Sequence, residues 1–83
     1  MYAIVVDYYH WDEKNEREFT KPMYLGIMYP PQNIYVFDEE HNSRSFRWKN
    51  KADAEKYFYE HRFYEGGFCY ENARVEEVKI CTQ

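Results

Sequence analysis

The sequence predicts an α+β domain: a small antiparallel β-sheet of four to five strands with one α-helix packed on one face, in the order β-β-β-(β)-α-β. Three observations predict it. Runs rich in β-branched and aromatic residues recur at 2–9, 23–29, 34–38 and 74–81, separated by polar or Pro- and Gly-containing segments. One stretch, between Asn50 and Gly66, has helix-building composition with no Pro or Gly inside it. Eighty-three residues make a single domain, 1–83, with one core, and no repeat, low-complexity tract or linker divides it.

Tyr2 to Tyr9 is the expected first strand. Ile4, Val6 and Tyr8 point one way, and Ala3, Val5, Asp7 and Tyr9 the other. Both sets are largely apolar through Val6, which suits an interior strand. Asp7 marks the odd-numbered face as the wetter one, so the helix is expected over Ile4 and Val6. His10 to Pro22 is charged, with Trp11 and Phe19 among its acids and bases. It is either a long hairpin tip in which Trp11 packs across on Phe19, or a mobile binding loop.

Met23 to Tyr29 is the second strand, and Gly26 in its middle marks a bulge or the close approach of another backbone or ring. Pro30 to Asn33 breaks the chain. Ile34 to Asp38 is the third strand, with Ile34 and Val36 on one face and Tyr35 and Phe37 on the other. Glu39 to Ser43 is a polar turn, and Arg44 to Trp48 a short strand.

For the helix, Asn50 is the expected N-cap, its side-chain oxygen accepting from the amide three residues on, and Asp53 in the first turn favours the helix dipole. Gly66 and Gly67 are the expected stop. At about 100° per residue, Ala54, Tyr57, Phe58, His61 and, at its edge, Tyr64 share one face, the stripe expected to dock on the sheet. Tyr59 and Phe63 fall with Ala52 near the opposite one. Either a loop, Phe68 to Tyr70 or the stretch around Trp11, folds over this second aromatic set, or it is a protein-binding or self-association face, for which Tyr and Phe are suitable anchors. His61 reads as a boundary residue, because no second His or Cys lies one turn away.

Arg74 to Cys81 closes the sheet. Val75 and Val78 have opposite parity, so a bulge intervenes or both faces are covered. Val78 and Ile80 are the preferred core residues. One helix cannot cover both faces of such a sheet, so Tyr9, Tyr35 or Phe37 is expected on the open face, where an aromatic patch would mark an interaction site.

Ten Tyr, six Phe and two Trp argue for a folded chain and against disorder. The net charge of −4 weighs against direct binding to a nucleic-acid backbone, which needs positive surface. Acids cluster at Asp12, Glu13, Glu16 and Glu18, at Asp38, Glu39 and Glu40, and at Glu76 and Glu77. Such clusters are either solvated surface or a patch complementary to a basic groove. Cys69 and Cys81 are too few for a disulfide framework, although they can form one bridge. There is no signal peptide pattern and no apolar run of membrane-spanning length, so a cytoplasmic location is expected.

Phosphate-loop, dinucleotide, HExxH and GxSxG motifs are all absent, as is any nucleophile–base spacing. No catalytic residue, cofactor or metal is therefore assigned. Asp7, Asp38, Glu39, Glu40 and His41 would make a carboxylate site only if the fold gathered them. A small-ligand alternative has more substance: Tyr9, Tyr35 and Phe37 beside Arg44 and Arg47 can stack a nucleotide base and pair with its phosphates.

The stretch from Phe46 to Phe58, FRWKNKADAEKYF, carries an aromatic strand end into a capped K-x-x-A-E-K helix. With the closing Arg74-Val-Glu-Glu-Val-Lys-Ile80, it resembles small bacteriophage and mobile-element proteins. Some of these are inhibitors of host defence, including anti-CRISPR proteins. The resemblance implies a non-catalytic protein-binding module that blocks a host defence enzyme by occlusion or acidic mimicry. The residues themselves give the candidate surface: Trp11, Asp12, Glu13, Glu16 and Glu18, then Asp38, Glu39 and Glu40, and then Tyr59 and Phe63. The partner expected is a protein with a basic groove, and a homodimer is compatible with either reading.

Overall fold

The computed structural model describes residues 1–28, 31 and 34–79. Four strands, β1 (Tyr2–Asp12), β2 (Arg17–Met28), β3 (Ile34–Asp38) and β4 (Tyr70–Glu77), form one antiparallel sheet in the order β3-β2-β1-β4. One helix, α1 (Lys51–Glu60), packs on one face, followed by a 3₁₀ turn at Phe63–Glu65. The expected α+β architecture is the one observed. β1 is interior, as its two apolar faces require, and Ala3, Ile4, Val5 and Val6 are all buried.

β1 and β2 are longer than the sequence indicated. Segment 10–22 is a hairpin: the two strands pair from Val5↔Tyr24 through to Asp12↔Arg17. Pro22 sits inside β2 without cost to the ladder. The amides of odd-numbered β2 residues face the β1 side, as Ile27 shows by donating to Arg44 there. The absent N–H of Pro22 therefore falls on the β3 side, beyond the last β2–β3 pair at Tyr24↔Asp38.

Segment 44–48 is not a strand. Ser45 bridges Gly26 of β2, and Trp48 bridges Tyr2 of β1. The β1–β2 pairing ends at Val5↔Tyr24, and the chain from Ser45 to Trp48 fills the gap where the two strands part. Tyr2 and Trp48 exchange backbone hydrogen bonds of 2.8 and 3.0 Å, and the Phe46 amide donates to the Leu25 carbonyl at 3.0 Å. Gly26 serves the close approach: a Cβ there would collide with the Arg44 carbonyl.

The helix is also shorter than expected. Asn50 is extended and occupies the N-cap position, but its side chain makes no cap bond. Its Nδ2 instead donates to Asp53 Oδ2 at 3.2 Å. The helix ends at Glu60, six residues before Gly66, because Arg62 takes a left-handed φ of 55°. That reversal carries Phe63 into the core. The core cluster is Ile4, Leu25, Phe58 and Phe63, ringed by partly buried Phe37, Phe46, Trp48, Tyr57, Tyr70, Ala73 and Val75.

Tyr35 and Phe37 lie on the helix side of the sheet, not the open side. Leu25, a core residue, pairs with Phe37, and Ile27 with Tyr35, so these share its face. The Tyr35 and Tyr57 hydroxyls are 2.9 Å apart and tie β3 to the helix. Of the two readings of the Val75 and Val78 parity, the bulge does not lie between them, since pairing is regular from Val5↔Arg74 to Tyr2↔Glu77; β4 bulges earlier. Asn72 and Ala73 together oppose one residue, Val6, between the pairs Val5↔Arg74 and Asp7↔Glu71, and Asn72 has a φ of 50°. Val78 is half-buried, while Ile80 and Cys81 lie outside the described residues.

Candidate protein-binding surface

The β1–β2 hairpin outreaches its neighbours. On one side, pairing with β4 ends at Tyr8↔Tyr70, with one further bond from the Tyr9 amide to the Cys69 carbonyl. On the other, β3 stops at Tyr24↔Asp38. Residues 10–12 and 17–20 therefore form a two-stranded arm with no third strand beside it among the described residues.

The tip of the arm is pre-organised. Asp12 Oδ1 accepts from the amides of Lys14 and Asn15 at 3.1 and 3.3 Å, and its Oδ2 accepts from Asn15 Nδ2 at 2.8 Å. These bonds, the Asn15 side chain foremost, hold the Asp12 carboxyl below the usual carboxylate range. Asp12 is thus a turn-forming group. Glu16 closes the turn with a φ of 49°.

Trp11 is 61% exposed, one residue before this turn. It lies opposite Glu18, so the expected Trp11–Phe19 pair does not form. The one-residue difference in register turns Trp11 to the other face. His10 is the residue opposite Phe19, and its ring stacks there at 5.5 Å. Glu13, Glu16 and Glu18 are exposed in the same tip as Trp11, together with Lys14 and Arg17, and with Asp12 they leave the tip net acidic.

The second acidic turn is partly neutralised. Asp38 accepts two bonds from Arg44, at 3.0 and 2.9 Å, which hold its carboxyl below the usual range. Glu39 pairs with Lys21 at 3.3 Å, beside the base of the arm. Glu40 is exposed. Tyr59 and Phe63 do not share a face: Tyr59 is 59% exposed, but Phe63 is only 5% exposed. The helix on which their spacing depended ends between them.

The residues of the small-ligand alternative are not gathered into one site. Tyr35 and Phe37 belong to the helix side, whereas Tyr9 follows the opposite parity of β1. Arg44 is engaged by Asp38, and Arg47 is exposed. Among the described residues no group of His, Cys, Asp or Glu could hold a metal ion. No helix among them is long and apolar enough to cross a membrane.

Two further aromatics are exposed against expectation: Tyr64, placed at the edge of the sheet-docking face, and Phe68, placed in a loop that could cover Tyr59. Phe68 is fully exposed, next to Cys69, whose carbonyl holds Tyr9 at the base of the arm. Tyr64 is exposed beside Tyr59, their rings 5.7 Å apart. The available signal for Phe68 was its position directly after two glycines. Comparison of the chain with protein-family models, curated proteins and solved structures returned no match.

Proposed function

We propose that this chain is a non-catalytic protein-binding module whose hairpin arm enters a positively charged groove on a partner protein. The observation that carries this reading is Trp11: a large aromatic side chain left in water beside a turn held by the Asp12 bonds, in a tip that also exposes Glu13, Glu16 and Glu18. Burial of one such ring contributes about 2 kcal/mol or more, and indole is a frequent hot-spot anchor. The surrounding carboxylates steer the arm toward a basic site and disfavour neutral or acidic ones. Because the Asp12 bonds fix the turn in advance, little entropy remains to be lost on docking.

The finer assignment is an inhibitor encoded by a bacteriophage, acting in the host cytoplasm on a defence enzyme by occlusion or acidic mimicry. It rests on the resemblance carried by 46–58 and 74–80. The test is to add the purified chain, and its Trp11→Ala/Glu13→Lys variant, to bacterial defence nucleases and their nucleic-acid substrates. Stoichiometric loss of cleavage with the parent chain and recovery with the variant is the expected result. Unimpaired cleavage across such enzymes would remove the inhibitor assignment.

A further inference from the structure

We propose that β4 is the seam of a two-fold dimer of this chain, its regular portion pairing antiparallel with β4 of a second copy about Val75. β4 is the terminal strand of the sheet, and among the described residues no strand lies on its outer side. Its outward backbone groups follow from the ladder with β1. The Val78 amide donates to the Met1 carbonyl, while Tyr2, opposite Glu77, turns both of its backbone groups to Trp48. Strand alternation then directs the N–H and C=O of Val75 and Glu77 away from β1. The bulge at Asn72 and Ala73 confines the regular edge to residues 74–77.

The sequence of that edge complements itself. A two-fold axis at Val75 sets Val75 against Val75, and Arg74 of each copy against Glu76 of the other. Arg74 is equipped for this. Its Nε already bonds Glu76 of its own chain, and its Nη1 bonds Asp7 and the Asn72 carbonyl. Its Nη2 has no acceptor among the described residues, so it retains donors for a second carboxylate.

The helix side of the seam is receptive too. A groove of about 230 Å³ runs between α1 and β4, with Lys51 and Phe58 of the helix and Ala73, Arg74 and Val75 of the strand in its lining. In the two-fold pairing, Glu77 of one copy lies opposite Ala73 of the other, on the side where Lys51 lines the groove. Many edge strands oppose such pairing with Pro or Lys, and β4, YENARVEE, contains neither. The dimer is an eight-stranded sheet, and antiparallel pairing sends its two hairpin arms to opposite ends. It stands independently of what the arms bind.

The test is sedimentation equilibrium in reductant over a dilution series, with the parent chain, Val75→Pro and Glu76→Lys. Proline removes an outward N–H without touching the β1 ladder, and lysine sets like charges against Arg74 of the other copy. The expected result is a parent mass that rises to twice the 10.4 kDa chain mass, while both variants stay at once that mass. Hydrogen exchange supplies a readout free of mutation: the Val75 and Glu77 amides should be protected in concentrated parent protein and lose protection on dilution. A strictly monomeric parent with those amides unprotected at every concentration would overturn the proposal. So would a dimer mass that both variants retain with the Glu77 amide still protected, or an edge protected only by a foreign strand.

Discussion

Gly26 faces Ser45 across an antiparallel bridge, and the Arg44 carbonyl occupies the place where a Cβ on residue 26 would project. The obstacle is backbone, held by the Ile27 amide at 3.0 Å, so it cannot swing aside as a side chain could. Gly26→Ala should therefore destabilise the domain by about 2 kcal/mol, in the range for overpacked sites. For a chain of this size that lowers Tm by roughly 10 °C, measurable by circular dichroism. An unchanged Tm would show that segment 44–48 does not wedge between β1 and β2.

Phe63 and Tyr59, four residues apart, should respond oppositely to truncation. Phe63→Ala removes a core ring and should cost about 3–5 kcal/mol in urea denaturation. Tyr59→Ala removes a side chain that is mostly in water and should change stability by no more than about 0.5 kcal/mol. Equal effects would mean that the helix continues through Arg62.

Stability should fall in acid through Asp7 and Asp38. The Asn72 side chain, with Arg74 beside it, holds Asp7 below the usual carboxylate range, and Arg44 does the same for Asp38. A carboxylate with a depressed folded pKa adds stability that is present above its unfolded value of about 3.9 and lost as pH falls through the folded value. Urea midpoints should thus decline below about pH 5. Asp7→Asn and Asp38→Asn should each lower the midpoint at neutral pH and flatten the acid limb. Acid limbs parallel to that of the parent would contradict these pairings.

Tyr57 should resist ionisation. Burial, then the Tyr35 hydroxyl, pushes its phenol above the usual tyrosine range. A raised phenol pKa adds stability that is complete below the unfolded value of about 10 and lost as pH rises toward the folded one. Tyr57→Phe should therefore leave the phenolate absorbance gained up to about pH 11 unchanged. Losing the absorbance of one tyrosine in that interval would place Tyr57 in water.

Much of the frame was legible because local chemistry and tertiary packing agree. Ala3 to Val6 are apolar on both faces and form the buried centre of β1, and Gly26 marked a close backbone approach. Asn50 stands at the helix start. The hairpin was one of two open readings, since nothing local chooses between a ribbon and a loop in a charged stretch. Register was not legible: a one-residue difference exchanges His10 for Trp11 opposite Phe19 and turns Trp11 outward. Nor was the helix end, because Arg62 is a non-glycine residue in the left-handed region, and the tertiary fold holds it there. The face of Tyr35 and Phe37 depends on pairing with β2, a non-local fact. Of the candidate surface, the acidic tip with Trp11 stands exposed, while Phe63 belongs to the core.

The most direct measurement is paired affinity capture from lysates of defence-carrying bacteria, using the parent chain and a folded Trp11→Ala/Glu13→Lys/Glu18→Lys variant. Quantitative mass spectrometry of the bound proteins gives the readout. A basic-surfaced protein retained by the parent and depleted at least about tenfold with the variant, a loss of about 1.4 kcal/mol, is the predicted result. Equal retention by both chains would contradict a binding role for the arm.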